Sequence, residues 1–302
     1  MKLPLLYLLC SIKSAVGSPL STSTAISSAD FNSLLQGANF AAAAYCDSNT
    51  KAGSKSVTCT GTGSDICPQA SGATILGTFS NSGAVGYVAR SGNNIVVAFQ
   101  GSKSGKQFLD DFNVFQTPVD FWCSGCQVMG AFLNDWEVVS TGIIATIKQA
   151  LVGHANSPIL VLGHSLGAGV ATFAAVDIQG NFTSSPVTLL SYASPRLGNQ
   201  AWADWYTANG PKISKIYRVT HHKDEVPQIP HKSSYNSVWR HFGPEYYITK
   251  EDLSPAQSDI VMLAEQESDL GIDGKPGNIT NHLNDPTEHR NYMIHLSGNT
   301  GC

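Results

Sequence analysis

The stretch 158–169, PILVLGHSLGAG, constrains this chain more than any other. Its apolar run up to Leu162 reads as a short buried strand, and the Ala-rich run over 165–178 reads as a helix. Between them stands Ser165, with Gly163 two residues before it and Gly167 two after. A strand that turns sharply into a helix at a serine must strain its backbone. Flanking glycines let neighbouring chain pass closely, because no Cβ is present to clash. The turn lifts the hydroxyl clear of the sheet. It also sets it at the positive end of a helix, where developing negative charge is favoured. A GxSxG match alone is weak; the strand before it and the helix after it supply the context that gives it meaning.

The rest of the chain agrees with that context. Phe31, Leu34, Leu35, Ala38, Ala42 and Tyr45 recur at helical spacing from Ser28 onward. Residues 84–90 and 94–100 read as strands around a Ser-Gly-Asn hairpin signal. Residues 134–152 form an amphipathic helical pattern carrying Trp136, Val139, Ile143, Ile144, Ile147 and Leu151. Strands follow at 187–192 and 213–220, separated by a helix around 199–207. Such alternation implies a mostly parallel sheet wrapped by helices. There is no internal repeat and no low-complexity linker, and 302 residues suit one compact domain, or at most two.

Residues 1–17 read as a secretory signal peptide: Lys2, a short apolar stretch, then Ala15-Val16-Gly17. That stretch is too short to span a bilayer, and no later one is long and apolar enough to do so. Residues 18–27 are Ser/Thr-rich and expected to be a flexible arm or short pro-segment, leaving 28–302 as the domain. Of seven cysteines, removal of Cys10 with the signal leaves six, an even set that suits an oxidising compartment. Fifteen pairings are possible. Proximity favours Cys59–Cys67 and Cys123–Cys126, leaving Cys46–Cys302 to tie the two ends together. Asn181-Phe-Thr183 and Asn278-Ile-Thr280 are N-glycosylation sequons. With a net charge of −4, 13% charged residues and no basic stripe, nucleic-acid binding is not expected.

A serine hydroxyl is too weakly acidic to attack an ester unaided and needs a base oriented by a carboxylate. With a nucleophile of this kind the chain order is serine, acid, histidine. Downstream acids include Asp177, Asp204, Asp224, Glu225 and Glu245. Asp224 is the best placed, because it follows the strand 213–220 in a loop stiffened by Val226-Pro227 and Ile229-Pro230. Loops at the carboxyl ends of parallel strands carry the chemistry of such sheets. The downstream histidines are His231, His241, His282, His289 and His295, and position alone does not separate them.

Seven segments, in order, resemble the secreted fungal class 3 lipases, a family of triacylglycerol lipases that also contains feruloyl esterases. They are AAAAYC (41–46), VAFQGSKS (97–104), CSGC (123–126), LGHSLGAGVAT (162–172), SYASPRLGNQAWA (191–203), YRVTHHKDEVPQIP (217–230) and GPEYYI (243–248). The resemblance implies an α/β-hydrolase fold with a short helical lid and a Ser165, Asp224, His289 triad. His289 matches because a tyrosine, Tyr292, follows it by three residues; His295 is the alternative. His164, inside the elbow, is expected to be structural. The oxyanion hole would be the Leu166 N–H with Ser102. The three cysteine bridges match the pairing above. No cofactor and no metal is implied, and the double histidine His221-His222 reads as structural. The implied protein is a secreted monomer acting on acylglycerols at a lipid interface.

The lid would lie over 105–115, where Phe108, Leu109, Phe112 and Phe115 share one helical face. Three departures weaken transfer of substrate preference. Phe108 stands where lipase lids commonly carry Trp, Phe99-Gln100-Gly101 replaces Phe-Arg-Gly, and Met129-Gly130-Ala131-Phe132 replaces a His-x-Gly-Phe pattern. A plant-wall esterase such as a feruloyl esterase is the alternative on the same scaffold. The apolar lid face favours acylglycerols.

Overall fold

The computed structural model describes residues 22–59, 66–81, 83–103, 114–234, 237–275 and 287–296. The strands are β1 (Ser23–Ala25), β2 (Thr74–Asn81), β3 (Ala84–Ser91), β4 (Asn94–Phe99), β5 (Gln116–Pro118), β6 (Gln127–Met129), β7 (Ile159–His164), β8 (Val187–Tyr192), β9 (Lys215–His221), β10 (Ser233–Ser234), β11 (Ser237–Val238), β12 (Glu245–Ile248) and β13 (Ile260–Leu263). Among the described residues, nine of them form one sheet in the order β1-β13-β12-β9-β8-β7-β4-β3-β2. The five central strands, from β12 to β4, run parallel. The flanking pairs are antiparallel. This is the helix-flanked, mostly parallel sheet that the sequence leads one to expect.

Strand β4 shows why the sheet forms. Ile95 to Phe99 are all buried, as a strand covered on both faces requires. Val97 and Phe99 join one apolar cluster with Trp136, Phe173 and Trp202. Val96 and Ala98 join the other with Phe40, Leu190 and Tyr192. The period-two alternation of the strand therefore supplies both layers of the core. Phe173 sits between Trp122 and Trp202, with ring centroids 6.1 and 5.6 Å away. Replacing it by alanine would cost about 3–5 kcal/mol.

Helices Gly130–Ala150, Leu166–Asn181 and Gln200–Thr207 contribute to the first cluster, and Ser28–Ala43 to the second. The last starts at Ser27, whose side chain accepts the Asp30 N–H. Gln200–Thr207 starts at Asn199, which accepts the Trp202 N–H in the same way. Helix Gly130–Ala150 begins four residues before the expected 134, because Phe132 and Leu133 already bury themselves in its first turn. Residues 18–21 of the expected arm lie outside the described residues, but Ser23–Ala25 is an edge strand on β13. That end of the arm is tied to the sheet.

Two of the expected cysteine bridges, Cys59–Cys67 and Cys123–Cys126, are formed. Cys46 is also disulfide-bonded, and Cys302 lies outside the described residues. So do the signal segment 1–17, the lid residues Phe108, Leu109 and Phe112, and Asn278. Asn181 is exposed at the last residue of its helix.

Candidate active site

Ser165 links β7 to helix Leu166–Asn181 with φ 58° and ψ −127°. A non-glycine residue there is strained, at a cost of about 1–3 kcal/mol that the surroundings must offset. The glycines explain how. A Cβ on Gly163 would lie 2.2 Å from the Gly167 carbonyl oxygen, and one on Gly167 would lie 2.6 Å from the Phe99 and Gln100 carbonyl oxygens. The helix thus presses directly onto the end of β4. Ser165 is held by its N–H, which donates to the Tyr192 carbonyl at 2.9 Å. Leu166 is the first helical residue, so its N–H has no acceptor within the helix.

Asp224 lies just past β9 and is 1% exposed. Its two oxygens are 3.0 and 2.9 Å from His289 Nδ1. The Tyr292 hydroxyl donates to Oδ2 at 2.6 Å and the Val226 N–H to Oδ1 at 3.0 Å. Burial pushes this carboxyl up, but the His289 charge and these hydrogen bonds outweigh it and hold the group at about 2. An ionised carboxylate beside Nδ1 favours the imidazole tautomer that carries its proton on that nitrogen.

His289 sits in a one-turn helix, Thr287–Arg290. Its ring lies against that of His164, with centroids 4.6 Å apart. His164 immediately precedes Ser165, so Asp224 and His289 meet beside the elbow. Ser102 lies three residues past the end of β4, and its buried hydroxyl has no hydrogen-bond partner among the described residues. The other candidate bases and acids go elsewhere. His295 faces Asn291 at 3.1 Å. His241 faces the Pro227 carbonyl at 2.6 Å, and burial beside Arg218 and Arg196 keeps it neutral. Asp177 accepts from Trp136 Nε1 at 2.7 Å, and Glu245 pairs with the buried Arg218. His231 is exposed, and His282 lies outside the described residues.

Sequence reasoning expected His164 and His221 to be structural without naming their partners, and it missed Arg196. The histidine before the elbow is a cross-tie: His164 Nδ1 is 2.7 Å from the Tyr45 hydroxyl and Nε2 is 2.8 Å from the His289 carbonyl. His221 lies between the carbonyls of Glu288 and Lys250, at 2.8 and 2.7 Å. Arg196 is buried and pairs with Glu267 at 2.7 Å and Asp273 at 3.0 Å. Only the His-Ser and His-His pairs hinted at such ties.

Among the described residues, His222, Glu251 and Glu288 bring three ligand-type atoms within 4.8 Å of one another. Glu288 is already engaged by His222 Nδ1 at 3.0 Å and the Lys223 N–H at 2.7 Å. A cavity of about 420 Å³ opens at the far end of helix Leu166–Asn181, lined among others by Trp122, Asp177, Asn181 and Trp205. It is remote from Ser165.

Known proteins resemble this chain in sequence and in fold. The family profile described as Lipase (class 3) matches residues 96–234. Secreted mono- and diacylglycerol lipase A of Penicillium cyclopium is 35% identical over 243 residues, covering 78% of this chain and 76% of its own length. The chain belongs to the class 3 lipase family. A solved mono- and diacylglycerol lipase from Aspergillus oryzae is similar in structure, with a TM-score of 0.74 and 32% identity over 87% of this chain and 96% of that one. The Rhizomucor miehei triacylglyceride lipase, at 22% identity and a TM-score of 0.73, shares the fold over 92% of this chain and 99% of that one. As a class 3 lipase the chain is a carboxylic ester hydrolase on the α/β-hydrolase fold. Its relatives from Penicillium and Fusarium solani are named secreted lipases, and this chain too is extracellular.

Proposed function

We propose that this class 3 lipase hydrolyses acylglycerols through an acyl-enzyme on Ser165. The carrying observation is the buried Asp224–His289 pair, 2.9 Å apart and beside the strained elbow. His289 takes the Ser165 proton as Oγ attacks the ester carbonyl. Asp224 fixes the imidazole tautomer and stabilises its charge. The N–H groups of Leu166 and Ser102, with the Ser102 hydroxyl, hold the oxyanion. The alkoxide of the glycerol leaves with the proton from His289. Water then gives a proton to His289 and its hydroxide to the acyl carbon, releasing fatty acid and restoring Ser165.

The relatives named above support mono- and diacylglycerols as substrates; triacylglycerol, the substrate first expected, is the alternative. Phe115 is 76% exposed and Val238 is 45% exposed. Gln116 joins their two segments by donating to the Val238 carbonyl at 2.8 Å. This apolar surface would meet the lipid interface. The working unit is proposed to be a monomer without cofactor, carrying glycans at Asn181 and Asn278 after removal of residues 1–17.

The test is hydrolysis of mono-, di- and triacylglycerol emulsions and of methyl ferulate by the mature protein and its Ser165→Ala variant. Acylglycerol turnover that falls about 10⁴-fold or more in the variant is expected. Turnover of ferulate alone, or a fully active variant, contradicts the proposal.

A further inference from the structure

We infer that Tyr45 and His164 are positioning residues that register His289 against Ser165, an inference resting on the function proposed above. The argument starts from direction. A carbonyl oxygen only accepts, so the 2.8 Å contact from His164 Nε2 to the His289 carbonyl puts the proton on Nε2. The tautomer with its proton on Nε2 presents Nδ1 as an acceptor, and the Tyr45 hydroxyl 2.7 Å away is placed to donate to it. The Gly101 N–H in turn faces the Tyr45 oxygen. One directed chain results, from Gly101 through Tyr45 and His164 to the backbone of His289. Tyr45 is 4% and His164 2% exposed, so water does not substitute for any member.

The chain joins four segments that the proposed reaction needs in register. Gly101 precedes Ser102, His164 precedes Ser165, and the accepting carbonyl belongs to His289 itself. Tyr45 follows helix Ser28–Ala43 and is anchored by it. The His289 segment has one helical turn of its own. It must be positioned by cross-ties, and His164 supplies the one from the elbow. The His164 and His289 rings also touch, tilted by 38° with centroids 4.6 Å apart. Burial pushes the Tyr45 hydroxyl up, and it stays a donor across the pH range of the assay.

The test uses the mature protein with p-nitrophenyl butyrate, a soluble ester that needs no interface. Tyr45→Phe removes the donor to Nδ1 together with the acceptor of the Gly101 N–H, at almost unchanged volume. Its kcat is expected to fall about three- to tenfold with KM unchanged, the scale of one buried hydrogen bond. His164→Gln keeps an amide donor and acceptor and is expected to retain more kcat than His164→Ala. ¹⁵N-histidine spectra should show His164 protonated at Nε2 only, with the His289 ring signals moved in Tyr45→Phe. A folded Tyr45→Phe enzyme with unchanged kcat, or a proton on His164 Nδ1, overturns the inference. If the wild-type protein turns over no ester, the proposed function is what fails, and the spectra still decide the chain.

Discussion

The Tyr292 hydroxyl donates, at 2.6 Å, to the same carboxylate oxygen of Asp224 that lies 2.9 Å from His289 Nδ1. That oxygen therefore has two donors inside a dry core. Tyr292→Phe would leave the shape of the site intact and remove one of them. The expected loss is about 1–3 kcal/mol of stability, since a charged acceptor loses a buried partner. Urea denaturation at neutral pH measures it, and an unchanged midpoint would show that Asp224 does not depend on Tyr292.

Asp224 also predicts an acid limit. Its carboxyl is held at about 2 in the folded protein against a usual 3.8. A group depressed on folding contributes stability that is present above its unfolded value and lost as pH falls through the folded one. About 2 kcal/mol should therefore disappear between pH 4 and pH 2. Asp224→Asn should flatten that part of a melting-temperature profile.

The elbow predicts a steric limit. A methyl on Gly167 would stand 2.6 Å from two backbone carbonyl oxygens, Phe99 and Gln100, which belong to the end of the sheet and the turn after it. Neither can move far. Gly167→Ala should cost about 1–3 kcal/mol or more and lower the yield of folded protein, read by thermal melting. Gly142→Ala is the control, because a Cβ there meets nothing within 4 Å.

Arg196 holds the far end of the acid loop. Its guanidinium donates to the Pro230 carbonyl at 3.0 Å and pairs with Glu267 and Asp273. Burial pushes Glu267 up, yet Arg196 keeps it below the usual carboxylate range. Arg196→Met should cost about 3 kcal/mol, because it leaves two buried carboxylates to Lys232 and, at Glu267, the His241 N–H. Chemical denaturation would reveal the loss, and a neutral outcome would mean that the cluster relaxes into solvent.

How much of this was legible in the sequence depends on how local each constraint is. The elbow could be read because its demand falls within five residues: two glycines, a strand and a helix. Strands β7 and β8 could be read because both faces are buried and their runs are apolar. The edge strand β1 and its neighbour β13 could not, being three and four residues long with pairing that arises only when distant segments meet. Nor could the buried ion pairs. Arg196 and Arg218 look like surface residues until Glu267 and Glu245 arrive from far along the chain. His289 is 65 positions from Asp224, and spacing left five histidines open until the resemblance chose among them. His164 read as a passive part of the elbow. Its two partners, 119 and 125 positions away, exist only in the fold.

The most direct measurement for the central claim is covalent. A p-nitrophenyl alkylphosphonate should release about one equivalent of p-nitrophenol, abolish ester hydrolysis and leave its phosphonyl group on the peptide containing Ser165, located by mass spectrometry. Ser165→Ala should take no label. Loss of activity with the label on another residue, or no labelling of an active enzyme, would contradict Ser165 as the nucleophile.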